Sequence, residues 1–212
     1  SAINCADMFH GSFRNNSTTG YRNNFIISNG VLNAHSMFMD ANKFAPNYIN
    51  LGSNLRDCAH MFDGCVYLYY GQGTTPNKIL LTEKITNTSH MFANSNGYFG
   101  DLILPPNVTN TNAMFYNAKF NGIITLSSKL KDASYMFYNT KFNMGYDLTI
   151  PESVEDASYM FCGSSIFSYV VSGSRKKPIF GDGIYNMSHA LESSSLNNSF
   201  HISNNAVDVS YL

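Results

Sequence analysis

The side chains with the most chemical potential in this sequence stand at repeated positions. His60 and His90 directly precede a Met-Phe pair, and His189 precedes the counterpart Ala190-Leu191. Tyr135 and Tyr159 hold the same place in other copies. Imidazole titrates near neutral pH, so a column of His and Tyr could bind a ligand or sense protons. The plainer account is that such rings stack along a surface. Cys5 and Cys58 stand where Ala34, Ala133 and Ala157 stand elsewhere, and Cys65 falls in a column of small residues. Together with Cys162 they are expected to be buried free thiols. Their spacing fits no metal motif. Ser, His and Asp are all present, but no nucleophile elbow organises them. No P-loop or dinucleotide fingerprint occurs. The expectation is no enzyme, no cofactor and no metal.

The elements that position these residues follow from aligning the chain to itself. Met-Phe occurs at Met8, Met37, Met61, Met91, Met114, Met136 and Met160, and Ala190-Leu191 continues the frame. The gaps are 29, 24, 30, 23, 22, 24 and 30 residues. A period of this size marks a solenoid, in which each unit needs its neighbours to bury its apolar face. With Met as origin, the fourth residue before it is always Asn or Asp, from Asn4 to Asn186. These are helix N-cap residues. Three after the origin come Gly11, Asp40, Gly64, Asn94, Asn117, Asn139, Gly163 and Ser193. Gly and Asn tolerate the left-handed conformation that ends a helix. Cap and stop predict a helix of about one and a half turns, α or 3₁₀. The next column, from Ser12 to Ser194, holds only small residues, which predicts close approach between stacked coils.

Six before the origin the column is apolar, as at Val31, Leu55 and Val154. Ten and twelve before it, apolar pairs recur, such as Ile49 with Leu51 and Leu148 with Ile150. Residues two apart share one face of a strand. Each repeat thus predicts a short strand, a turn and a capped helix, with the strands stacked as a parallel sheet and Met and Phe as core plugs.

Charge narrows the partners. The 212 residues carry 13 basic and 14 acidic side chains, a net charge of −1. Nucleic acid and anionic membrane demand clustered Lys and Arg, which are missing here. No apolar run approaches the roughly 20 residues of a membrane span, and "SAINCADMF" lacks the pattern of a signal peptide. An aromatic content of 14% with sparse charge argues against disorder.

A strand, a turn and a short helix every 22 to 30 residues resemble the leucine-rich repeat. The runs "VEDASYMF" from Val154, "VTNTNAMF" from Val108, "ITNTSHMF" from Ile85 and "LRDCAHMF" from Leu55 are similar to the Met-Phe variant of the BspA-like repeats. The resemblance implies an α/β fold: a leucine-rich-repeat solenoid of about eight repeats over 1–212, with a parallel sheet on one face and short capped helices on the other. It implies no shared active site. Such repeats occur in bacterial surface adhesins, protist surface proteins and phage tail or receptor-binding proteins. The expected function is a surface-displayed recognition or adhesion module that binds a protein or glycan of a host cell. The alternative is a structural segment of a phage tail fibre or receptor-binding protein. The expected location is extracellular or on the cell surface, or else in a virion. Neither end carries a visible polar cap, so the expectation is a segment of a longer chain, or ends that join a homo-oligomer or larger assembly.

Binding is expected where the repeats differ. The outward strand column reads Ile26, Asn50, Leu80, Ile103, Thr125, Thr149, Ile179 and His201, too irregular for an ice-binding Thr ladder. The variable residues offered to a ligand are Tyr48, Asn50, Lys78, Asp101, Thr125, Asp147 and Thr149. Longer repeats insert 14–23, 69–77 and 168–177 between helix and strand, adding Tyr69, Tyr70 and Tyr169. Insertions at one phase are usual binding loops.

Overall fold

The structure is a computed structural model and describes residues 3–13, 24–44, 46, 48–66, 79–96, 101–120, 122–141, 145–167, 170–171, 174–196 and 199–212. Eleven short strands run through them: β1 (Ile3–Asn4), β2 (Phe25–Ile26), β3 (Val31–Asn33), β4 (Ile49–Asn50), β5 (Ile79–Leu80), β6 (Leu102–Ile103), β7 (Ile124–Thr125), β8 (Leu148–Ile150), β9 (Val170–Val171), β10 (Ser174–Arg175) and β11 (Pro178–Phe180). The apolar pairs predicted as strand faces build β2 and β4 to β8, and Pro178 and Phe180 give β11 the same inward pattern. Pairing is parallel between neighbouring copies: β2-β4-β5, β6-β7 and β8-β11, with equivalent residues opposite one another. β1 and β3 also pair in parallel, across a bulge. Among the described strands, β9 and β10, inside the 168–177 insertion, form the one antiparallel pair.

The Met-Phe segments are not helices. Among the described residues there is no helix, and the α/β assignment with a helical face gives way to short parallel strands and turns. The reason lies in the backbone. The residue directly before the origin has positive φ in every copy: Asp7, Ser36, His60, His90, Ala113, Tyr135, Tyr159, His189 and Tyr211. So does the residue three after it, from Gly11 to Ser193. Two left-handed residues four apart leave no room for a helical turn to propagate. Instead, alternate N–H groups leave the turn altogether. In the repeat around Met61, Cys58, His60, Phe62 and Gly64 donate to the carbonyls of Asn87, Ser89, Met91 and Ala93 in the next copy. The residues between them close three-residue turns, as Met61 to Cys58 and Asp63 to His60.

The Asp/Asn column does what its chemistry predicts, within a different element. From Asn4 to Asp208, each of the nine side chains accepts the N–H two residues on at 2.8–3.2 Å, as Asp57 does from Ala59 and Asp156 from Ser158. These are Asx turns, not helix caps. The same residues bridge one another in parallel along the whole series, Asn33 to Asp57 through Asn186 to Asp208.

The core is a column of rings. Phe9, Phe38, Phe62, Phe92, Phe115, Phe137 and Phe161 stack on their counterparts at 5.4–5.7 Å, within 15° of parallel. From Phe38 onward these rings are fully buried, as are the Met side chains beside them from Met61 to Met160. Small residues follow because that position abuts the preceding copy. Cys65 Sγ, Ser95 Oγ and Thr140 Oγ1 donate to the carbonyls of Phe38, Phe62 and Phe115.

Phe137→Ala is expected to cost about 3–5 kcal/mol of stability by chemical denaturation, and a loss below about 1 kcal/mol would contradict the ring column. Ala113→Gly separates a turn from a helix by sign. Glycine in a helix interior costs about 1 kcal/mol relative to Ala, whereas relief of a left-handed Ala is expected to leave Ala113→Gly as stable as the parent or up to about 1 kcal/mol more so.

Candidate functional site

Strand alternation lays out one candidate face. Ile49, Ile79, Leu102, Ile124 and Leu148 point into the core, and the residue after each points out. Parallel register aligns these outward residues: Ile26 beside Asn50 beside Leu80, Ile103 beside Thr125, and Thr149 beside Ile179. Asn50, Thr125 and Thr149 are exposed, as is Tyr48 just before β4. Tyr69, Tyr70, Lys78 and Tyr169 lie outside the described residues. Two acids expected to face a ligand are engaged in the scaffold: Asp101 Oδ1 accepts the Ile123 N–H and Asp147 Oδ1 the Lys177 N–H, each from the next repeat at 3.0 Å.

The same row contains residues that the choice of polar candidates passed over. Ile26, Leu80, Ile103 and Ile179 are 70%, 50%, 65% and 44% exposed. Between β5 and β6 the row opens into a groove of about 190 Å³ lined by Leu80, Leu81, Ile103 and Pro105, with Glu83 and Asp101 among its walls. The sequence signal was their phase, one residue after the buried member of each strand.

The turns build a second face. His60 and His90 stack at 4.4 Å, and His35 meets His60 edge-on at 5.4 Å. The column is broken at Ala113 and resumes as Tyr135, Tyr159, His189 and Tyr211, stacked at 4.3–4.6 Å. Tyr116 and Tyr138 stack beside it at 4.8 Å. Ring faces cover one another, so edges and polar atoms meet solvent. His60 Nδ1 lies 2.9 Å from Asp63 Oδ2, and the other oxygen of this nearly buried carboxylate accepts from Asn94 Nδ2. His189 Nδ1 is held by Glu192 at 2.6 Å. Burial, reinforced by neighbouring His60 and opposed by Asp63, lowers the pKa of His90.

All four cysteines are buried and free, and burial pushes the thiols of Cys58 and Cys65 well up. Among the described residues, no group of three or more His, Cys, Asp or Glu is placed to hold a metal ion. No helix among them is long and apolar enough to cross a membrane.

The family model described as "Mycoplasma protein of unknown function, DUF285" matches residues 57–174, more than half of the chain. The chain belongs to that family. The matched span of this DUF285 chain runs from the third Asx column residue, Asp57, to β10, and so includes the stacked rings Phe62 to Phe161 and the groove between β5 and β6. No curated protein and no solved structure matches it.

The stacked imidazoles generate a pH prediction. The pKa of folded His90 lies below its ordinary value of 6.5, so near that pH the unfolded chain binds more protons than the folded one. The contribution to stability is therefore complete above about 6.5 and is lost as pH falls toward the folded value. His90→Tyr, a residue this column already holds, is expected to flatten the fall in urea midpoint between about pH 7 and pH 5. An unchanged slope would remove His90 from the account.

Proposed function

We propose that this chain is a surface-displayed recognition module, built as a solenoid of BspA-like type, whose outward sheet row binds a protein on a host cell. The observation that carries the reading is the exposed set Ile26, Leu80, Ile103 and Ile179, which occupies the outward phase of β2, β5, β6 and β11 and which parallel pairing places beside Asn50, Thr125 and Thr149 within three short sheets. Apolar side chains held outward along one line mark an interaction surface. The groove beside Leu80 and Ile103 is walled by Pro105 and flanked by the carboxylates of Glu83 and Asp101. That combination favours a segment with an apolar side chain next to a cationic one. Asn50, Thr125 and Thr149 add hydrogen-bonding groups in the same row, and Tyr48 lies beside it. A buried, repetitive interior under a variable outer row separates folding from recognition, so ligand choice can change without loss of stability.

The test uses a substitution the scaffold already accepts, since Thr occupies this row at Thr125 and Thr149. Leu80→Thr with Ile103→Thr is expected to lower binding of the purified chain to cultured host cells, measured by flow cytometry, about tenfold or more, with the melting temperature nearly unchanged. Removing the smaller polar groups by Thr125→Ala with Thr149→Ala is expected to lower it less. If binding survives both pairs of changes, the sheet row is not the recognition face, and a structural role in a larger assembly such as a virion takes its place.

A further inference from the structure

A second surface feature has a different chemistry. Asn94, Asn117 and Asn139 occupy the left-handed position three after the origin in consecutive copies. Their amides form a directed ladder: Asn139 Nδ2 donates to Asn117 Oδ1 at 3.0 Å, Asn117 Nδ2 to Asn94 Oδ1 at 3.3 Å, and Asn94 Nδ2 to Asp63 Oδ1 at 2.9 Å. Each amide spends one N–H on the ladder and has a second to offer. Backbone and ladder together hold these donors in place before any ligand arrives, which lowers the ordering cost of binding.

Beside the ladder lies an open depression of about 180 Å³, lined by Asn94, Asn96, Asn117, Lys119, Asn139 and Lys141. Both lysines are exposed. Three other lysines are tied to the neighbouring copy: Lys131 to Glu155, Lys84 to Asn54 and Lys129 to Asn107. Among the described residues, neither Lys119 nor Lys141 is within ion-pair distance of a carboxylate, and no acid lines the depression. In a chain of net charge −1 this is a local positive site framed by amides.

We propose that this depression binds an anionic saccharide, a carboxylate- or sulfate-bearing sugar whose charged group sits between Lys119 and Lys141 and whose hydroxyls meet the amide ladder. Asn amides donate and accept, which matches sugar hydroxyls that also do both. Two ammonium groups supply charge-assisted bonds to the acidic substituent. Two lysines fall well short of the basic stripe that nucleic acid requires. The volume lies below the roughly 300 Å³ at which pockets for drug-sized ligands begin, so the site takes one sugar ring, with the rest of the glycan outside. This site is separate from the sheet row and stands or falls independently of it.

The experiment titrates the whole chain with a heparin-derived tetrasaccharide, with neutral maltotetraose and with sodium sulfate, followed by NMR and calorimetry. The tetrasaccharide is expected to shift the side-chain amide resonances of Asn94, Asn117 and Asn139, with binding that weakens as salt is raised. Lys119→Gln with Lys141→Gln is expected to weaken it about tenfold or more with an unchanged melting curve. Asn117→Ala, which cuts the ladder at its centre, is expected to weaken it less. Maltotetraose is expected to leave those resonances in place. Retained affinity in the double Lys variant, or binding indifferent to salt, overturns the proposal. Sulfate that binds as tightly as the tetrasaccharide overturns the saccharide assignment and leaves a simple anion site. The Leu80 and Ile103 changes leave tetrasaccharide binding intact, so failure here and failure of the sheet-row reading are read separately.

Discussion

The rest of this structure depends on where the N–H groups of the Met-Phe turns point. In each copy from Met8 to Met160, alternate donors leave the turn and meet carbonyls of the following copy, as Cys58, His60, Phe62 and Gly64 do. A buried backbone donor without a partner is costly, so each copy is completed only by its neighbour. The arrangement demands left-handed backbone at two positions per turn, and most of the residues there are not glycine. Such residues cost on the order of 1–2 kcal/mol each and persist where surrounding contacts over-determine them. Here the over-determination is visible: the Asx bond two residues in, the three-residue turns, and the four donors handed to the next repeat.

Once that ladder is set, the side chains of the turns and strands lie beside their own counterparts. Columns therefore share chemistry, and each column works as a unit. Phe rings stack through the interior. Amides at Asn94, Asn117 and Asn139 link into a chain that ends on Asp63. Histidines and tyrosines before the origin stack outside, in the conformation the ladder imposes on them. Small residues such as Ser95 and Thr140 sit where a larger side chain would collide with the copy before, and their hydroxyls cap its Phe carbonyls. The glycine of one inter-strand turn, Gly183, has a similar constraint, since a Cβ there would run into the Glu152 carbonyl.

This division also organises the proposed function. The interior repeats, so it cannot distinguish ligands. The surfaces vary, and they vary in different ways: the sheet row mixes Ile and Leu with Asn and Thr, while the edge beyond the turns gathers Lys119 and Lys141 beside amides. In the proposed reading, the first meets an apolar partner segment with a cationic neighbour and the second an anionic sugar. A single scaffold can carry both, because neither surface supplies the core contacts that hold the repeats together.

The sequence alone determined the repeat frame and most of what lies inside it. Met and Phe as core plugs, the apolar columns six, ten and twelve before the origin, the left-handed position from Gly11 to Ser193, the small column and the side-chain role of Asp132 and Asp156 all follow from residue type and spacing, which are local properties. The exposed places of Tyr48, Asn50, Thr125 and Thr149 follow from strand alternation in the same way. Tertiary structure decided that the turns are not helices. A short helix and an Asx turn with left-handed residues ask for the same Asp, Gly and Asn at nearly the same spacing, and they differ only in whether N–H groups bond within the segment or to the next copy. That choice is non-local, so His60, Ala113 and Tyr135 showed no sign of the left-handed conformation they adopt. The outward phase of Ile26, Leu80, Ile103 and Ile179 was legible in the same alternation, and tertiary structure decided instead that Asp101 and Asp147 serve the scaffold, because their partners Ile123 and Lys177 lie a full repeat away.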